Sequence, residues 1–324
     1  MYCDIRGIGD IPPYNTIPII TGKENSLESL RKAGIIHKMI RRDIRPILKP
    51  GLNLYDLANY INERTRYYVR KSNIMQCNDG IAFPPVLSRN NVIAHYSPNK
   101  IDKVIIQCND NLKVDFGVHV NGWIVDSAFT FYFNAEYYTL HQATKEALDS
   151  AIKLVGIDQP INDVSSVISE IIESYEIIYQ NDIHSLKVID GLGGHNILQY
   201  NIHGGMHVPN KPNILNRERF GKGIYAIEPF ASILDSRIIE GTSICNYRLK
   251  QNLKELCPII YEKFNNLIFS DSHLEHYNIH NMDMNMISLY PPLEGIKGDM
   301  SCQYEHTIYL GDNIKEVISK STDY

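Results

Sequence analysis

An α+β fold of two α-α-β halves follows from three features of the 324-residue sequence. Each half opens with two segments of helical periodicity. Each then turns to β-forming runs that carry acidic residues, a residue type depleted in strands. No Pro/Gly/Ser-rich linker divides the halves, so residues 1–324 are expected to form one domain of pseudo-two-fold design.

Residues 1–24 are punctuated by Pro and Gly and read as an extended arm. Asn25, with Glu28 three residues on, caps a helix whose apolar stripe is Leu27, Leu30, Ile36, Ile40, Ile44 and Ile47. Lys49-Pro50-Gly51 ends it. Asn53 opens a second helix with Leu54, Leu57, Ala58 and Ile61 on one face, and strands are expected from about Gly80 to Phe133. The order then repeats, with a helix near Leu140–Val155 and another carrying Val164, Val167, Ile168, Ile171 and Ile172, before strands resume. Between about residues 236 and 288 the strand pattern breaks. Leu253, Leu256, Ile260 and Phe264 form a helical stripe there, followed by a polar stretch rich in His, Asn and Met, which predicts a largely helical insertion.

Bulk composition excludes several classes. The chain is 44% hydrophobic and 21% charged, as expected of a globular enzyme, and its formal charge of −5 gives no basic footprint for a specific nucleic-acid partner. No apolar run approaches the roughly 20 residues that span a bilayer, so no membrane association is expected. The first dozen residues include Asp4, Arg6 and Asp10 and lack the apolar stretch of a signal peptide. Six cysteines without a C-x-x-C pair then read as free thiols, and the expected location is cytoplasmic.

The chemistry begins at Asn121-Gly122, a strong hairpin signal because a type I′ turn needs φ > 0 at both central residues. With that turn, Val120 faces Trp123 and Gly117 faces Asp126. Asp115 and Asp126 then leave the same face as diagonal neighbours, roughly 7 Å apart. Gly117 offers no side chain to fill the space between them. Two carboxylates on an otherwise apolar face repel each other by several kcal/mol at an effective dielectric of about 20, which calls for a cation between them.

Glu228, in Gly223-Ile-Tyr-Ala-Ile-Glu-Pro-Phe, and Glu305, in Cys302-Gln-Tyr-Glu-His-Thr, are two further acids within β-forming runs. His195 follows Gly191-Leu192-Gly193-Gly194, where glycines let a ligand approach the backbone. Taken singly, each is as readily a surface position; taken together, they need a common account. Four carboxylates balance two divalent cations, and oxygen-rich ligation with one imidazole suits Mn²⁺, Fe²⁺, Co²⁺ or Zn²⁺. Two such ions clamp a bridging water, lower its pKa and polarise a carbonyl, the machinery of metal-assisted hydrolysis. Competing motifs fail: the glycine run lacks the Lys-Ser/Thr of a phosphate loop, no G-x-S-x-G elbow exists, and Glu275 precedes His276 and His280 rather than lying between them. With His273 nearby, that stretch reads as a solvated His-rich surface.

Asp115-Phe-Gly through Asp126, Gly194-His195, Ile202-His203-Gly204, Ala226-Ile-Glu228-Pro-Phe and Gln303-Tyr-Glu305-His-Thr together resemble the type 2 methionine aminopeptidases of the pita-bread fold. Ala82-Phe83-Pro84, Ala94-His95-Tyr96-Ser97-Pro98-Asn99 and Tyr290-Pro-Pro-Leu fit the same pattern, as does an insertion at about 236–288. The resemblance implies removal of the initiator methionine from nascent polypeptides that carry a small second residue, through two divalent metal ions. It implies that Asp115 chelates one metal, that His195 and Glu228 hold the other, and that Asp126 and Glu305 bridge both. Glu228 is also implied as proton acceptor, His203 as the contact to the scissile carbonyl, and His95 as a neighbour of the substrate's amino end. Phe83, Ile202 and Tyr290 are implied as the walls of the methionine pocket. The family pattern favours a monomer.

Two positions depart from it: Leu198 stands where smaller residues are common, and Asn246 falls near a position where some members place a pocket histidine. No long charged extension of the eukaryotic kind precedes the first helix, so ribosome association through such a tail is not expected. Two alternatives follow from the same fold. One is a catalytically inactive RNA- or protein-binding module, which the retained ligands oppose; the other is an X-Pro aminopeptidase or prolidase, which usually carries a separate N-terminal domain, for which a first helix near residue 25 leaves no room.

Overall fold

The computed structural model describes residues 25–72, 77–250, 258–270 and 284–324. The arm expected over residues 1–24 and the His-rich stretch with His273, His276 and His280 lie outside them. Helix α1 (Ser26–Ile44) starts where Asn25 accepts the Glu28 N–H at 2.9 Å, and α2 (Leu54–Lys71) starts where the Asn53 side chain accepts from Tyr55 and Asp56. Both place the expected stripes inward: Leu30, Ile36, Ile40, Leu54, Leu57 and Ile61 are buried. They cover a three-stranded antiparallel sheet in which β1 (Ile81–Arg89) and β3 (Trp123–Tyr132) flank β2 (Asn111–Val120).

The second half repeats the plan. Helices α3 (Tyr138–Leu154) and α4 (Ile161–Glu173) precede β4 (Gly193–Ile197), β5 (His207–Pro209) and β6 (Gly223–Ile227). With β10 (His306–Gly311) and β11 (Ile314–Val317), these strands make a five-stranded antiparallel sheet of order β11-β10-β6-β4-β5. Residues of all four helices and both sheets join one contiguous buried core.

The insertion is only partly helical among the described residues. Helix α5 (Pro258–Phe264) buries Ile260 and Phe264 as the stripe predicts, while Leu253 and Leu256 lie outside the described residues. Beside α5 is a small sheet with β7 (Asn246–Leu249) between β8 (Phe269–Ser270) and β9 (Ile287–Tyr290). Strands this short carry too little period-two pattern to be read from sequence.

Candidate metal centre

The β2–β3 hairpin forms as its sequence dictates. Asn121 and Gly122 have φ of 53° and 80°, Val120 pairs with Trp123, and Gly117 pairs with Asp126. Asp115, opposite Ala128, therefore shares a face with Asp126, and both are buried. Gly117 plays a different part from the one expected. A Cβ there would meet the Phe83 ring at 2.3 Å, so the missing side chain makes room for Phe83 rather than leaving space between the carboxylates.

The last strands of the chain dock on the edge of β3 and bring the fourth acid alongside. The Glu305 N–H donates to the Ala128 carbonyl at 2.9 Å, and Ser127 Oγ donates to the Glu305 carbonyl at 2.7 Å. Thr307 Oγ1 accepts from the Asp126 N–H at 2.8 Å and donates to the Asp126 carbonyl at 2.6 Å. Two acids 179 residues apart in the chain are thus held by backbone bonds, not by their own side chains.

His195 arrives on β4, in register with Ala226 of β6, and Glu228 lies just past the end of β6. His195 Nε2 stands 3.6 Å from Asp126 Oδ2 and 3.5 Å from Glu228 Oε1. The glycines before it serve packing rather than ligand approach. A Cβ on Gly194 would lie 2.1 Å from the Ala226 carbonyl oxygen, and one on Gly193 would lie 2.2 Å from that of Val208. Ligand atoms of Asp126, His195 and Glu305 fall within 4.8 Å of one another. Asp115 and Glu228 border the same cavity, and so do His95, His203, Phe83, Ile202 and Tyr290. Every residue to which the resemblance assigns a ligand, catalytic or pocket role therefore borders this cavity.

Burial, followed by repulsion from Asp126, holds the carboxyls of Asp115, Glu228 and Glu305 well above the usual carboxylate range. Burial also lowers His95 to about 4 and His203 well below the ordinary imidazole value, the latter further depressed by His195 and His95. Asp115 Oδ1, Asp126 Oδ1, Glu305 Oε1 and His95 Nδ1 are buried without a hydrogen-bond partner among the described residues. Such a concentration of unpaired acceptors is unfavourable unless a cation meets it.

Some participants escaped sequence reasoning. Gln303 Nε2 donates to Glu228 Oε2 at 3.3 Å. Strand alternation from Glu305 places Gln303 and Thr307 on its side, a signal that was available. Asn246 lines the cavity from β7, and Leu198 stays largely exposed. His119, on the same hairpin face as the aspartates, is a packed histidine whose Nε2 bonds the Cys77 carbonyl at 2.7 Å.

A profile of metallopeptidase family M24 matches residues 28–254. The chain is 37% identical over 321 residues to methionine aminopeptidase 2-1 of Chaetomium globosum, covering 92% of this chain and 73% of that protein. It is 36% identical over 324 residues to methionine aminopeptidase 2 of Komagataella phaffii, covering 93% and 71%. The chain belongs to metallopeptidase family M24, in its type 2 methionine aminopeptidase branch. Solved M24 structures share the pita-bread fold. A methionine aminopeptidase of Thermotoga maritima aligns with a TM-score of 0.62 at 21% identity, over 96% of this chain and 99% of that one. A thermophilic Arx1 aligns at 0.75 with 14% identity, over 90% of each chain.

An M24 metallopeptidase works with divalent metal ions, and the residues present fit them. The unpaired oxygens of Asp115, Asp126 and Glu305 border one cavity with the imidazole of His195. Their donor set is hard oxygen plus one nitrogen, suited to first-row divalent ions.

Proposed function

We propose that this chain is a methionyl aminopeptidase that removes the initiator methionine from nascent polypeptides with a small second residue. The observation that carries the reading is the convergence of four buried acids and His195 on a cavity walled by Phe83, Ile202 and Tyr290. In this reading Asp115 would hold one metal ion and His195 and Glu228 the other, with Asp126 and Glu305 serving both. Mn²⁺, Co²⁺, Fe²⁺ and Zn²⁺ all suit this set. When bound, such ions supply the positive charge that acidifies a water and polarises the scissile carbonyl.

Each side chain then has a defined task. Glu228 accepts the proton of the attacking water; Gln303 occupies its Oε2, which leaves Oε1 on the His195 side. The low pKa of His203 keeps it neutral at pH 7. With the Tyr290 hydroxyl donating to Nδ1 at 3.4 Å, the Nε2–H tautomer of His203 would donate to the carbonyl oxygen of the first peptide bond. His95 is neutral too, so it adds no positive charge beside the substrate's amino end. Phe83, Ile202 and Tyr290 enclose the methionine side chain.

The core shared by both halves supports a single catalytic domain among the described residues. No helix among the described residues is long and apolar enough to cross a membrane. Cys77, Cys108, Cys245 and Cys302 carry free thiols, which supports action in the cytoplasm where nascent chains emerge. A monomer holds all the residues named. The test is hydrolysis of Met-Gly-Met-Met and of a Met-Pro peptide by metal-stripped protein, titrated with Mn²⁺ and Co²⁺. Methionine release that depends on added metal is the expected result. Folded protein that binds two metals and releases none would refute the assignment.

A further inference from the structure

Two histidines of the cavity sit on loops rather than on the sheets that hold the acids. His95 follows the strand Val92–Ala94 and has a left-handed φ of 66°, a conformation that a non-glycine residue keeps only when its surroundings hold it. His203 lies beyond β4, after a turn closed by Leu198 and Asn201. No hydrogen bond among the described residues ties either loop to the acids, and each meets the same strand of the insertion.

That strand is β7. Its residues Asn246 and Arg248, two apart, project from one face. Buried Asn246 Nδ2 donates to the His95 carbonyl at 3.1 Å and to Ser97 Oγ at 2.9 Å. A carbonyl oxygen only accepts, so this bond fixes the amide orientation with Nδ2 toward His95. Arg248 Nη1 donates to Asn201 Oδ1 at 2.8 Å, and Asn201 is buried two residues before His203. The neighbouring strand β9 pairs Tyr290 with Asn246. The Tyr290 ring stacks on His203 at 5.8 Å and meets His95 edge-on at 5.8 Å.

We infer that β7 of the insertion is a positioning strand, with Asn246 setting the His95 loop and Arg248 setting the His203 loop. This inference rests on the aminopeptidase reading for its kinetic consequence, not for its geometry. Both residues are positioning residues: they act on the substrate through the histidines. The insertion is thereby part of the catalytic apparatus rather than an appendage.

The test uses the full chain, with and without Zn²⁺, labelled at its histidine imidazoles and followed by NMR. Asn246→Leu keeps the volume but loses the donor, and Arg248→Met keeps the stem but loses the guanidinium. The first is expected to move the His95 signals and leave those of His203, the second to do the reverse. In metal-loaded enzyme each substitution lowers kcat/KM for a methionyl peptide by about ten- to a hundredfold, the scale of a displaced catalytic group, mostly in kcat. Asn246→His, which restores an N–H donor, recovers part of the loss. Folded variants with both imidazoles at their wild-type positions, or with kcat/KM within about twofold of wild type, overturn the inference. If Asn246→Leu fails to fold, Arg248→Met decides on its own loop. Wild-type protein that releases no methionine refutes the assigned function instead, and the NMR result still decides the role of β7.

Discussion

Two buried charge clusters lie back to back across Asp126 and Ser127, and they differ in one respect. On the Asp126 side are four acids, three of which, Asp115, Asp126 and Glu305, have a buried oxygen with no hydrogen-bond partner among the described residues. On the Ser127 side, Asp323 receives Arg41 Nε at 2.8 Å, Arg41 Nη2 at 2.9 Å and Arg45 Nε at 3.1 Å. Arg41 also reaches the Ser319 carbonyl and lies over the Tyr324 ring, and Tyr324 Oη bonds Ser127 Oγ at 2.5 Å. Only in the second cluster do the buried carboxylate oxygens meet cations within the fold. Buried charge that finds its partners within the fold fixes the fold; buried charge left without them marks a place where something else binds.

The sharpest way to break this comparison is to remove one acid. Asp126→Asn is expected to lower kcat/KM by more than the roughly 10- to 100-fold that follows loss of an outer-shell partner, and to lower metal content. Peptide assays with metal analysis check this; full turnover at full metal content would sink the bridging role. The converse substitution, Asp323→Asn, leaves Arg41 buried without its anion and should destabilise the fold by about 3–5 kcal/mol in urea unfolding. Folded Asp323→Asn protein should retain its metal stoichiometry.

Acidity separates the clusters by sign. Burial pushes the Asp323 carboxyl up, but Arg41 and Arg45 more than reverse this, so its pKa lies below the ordinary aspartate value of about 3.9. Its contribution is present above that value and fades as pH falls through the native pKa. Asp115, Glu228 and Glu305 are shifted upward, so without metal the folded protein binds more protons than the unfolded chain above about pH 4.3. Metal-stripped protein should accordingly lose stability as pH rises from that value toward neutrality, and metal should abolish the slope. Thermal melts across pH with and without Mn²⁺ test this, and a metal-independent slope would contradict it. The smallest effect belongs to Tyr324→Phe, which removes the hydroxyl bond to Ser127 and should cost about 1 kcal/mol with activity preserved.

Much of the acid side was legible in sequence because hairpin geometry is local. Asn121-Gly122 determines which residues oppose one another, and strand alternation determines which share a face, so the placement of Asp115 and Asp126 on one face follows from the sequence alone. Glu228 and Glu305 were visible as acids in β-forming runs, and the helices through their caps and apolar stripes. The glycines were misread for one reason: a missing side chain announces a close approach without saying by what. At Gly117 it is the Phe83 ring, and at Gly194 the Ala226 carbonyl.

By itself, then, the sequence determined the helices, the hairpin, the five acid and histidine positions and the chemistry their charge demands, since these depend on contacts a few residues apart or on residue type alone. The tertiary structure decided the rest. Thr307 locks Asp126 from 181 residues away, Arg41 neutralises Asp323 from 282 away, and β7 reaches back about 150 residues to His95. No periodicity records such pairings, because they arise only when separate sheets and loops pack against one another.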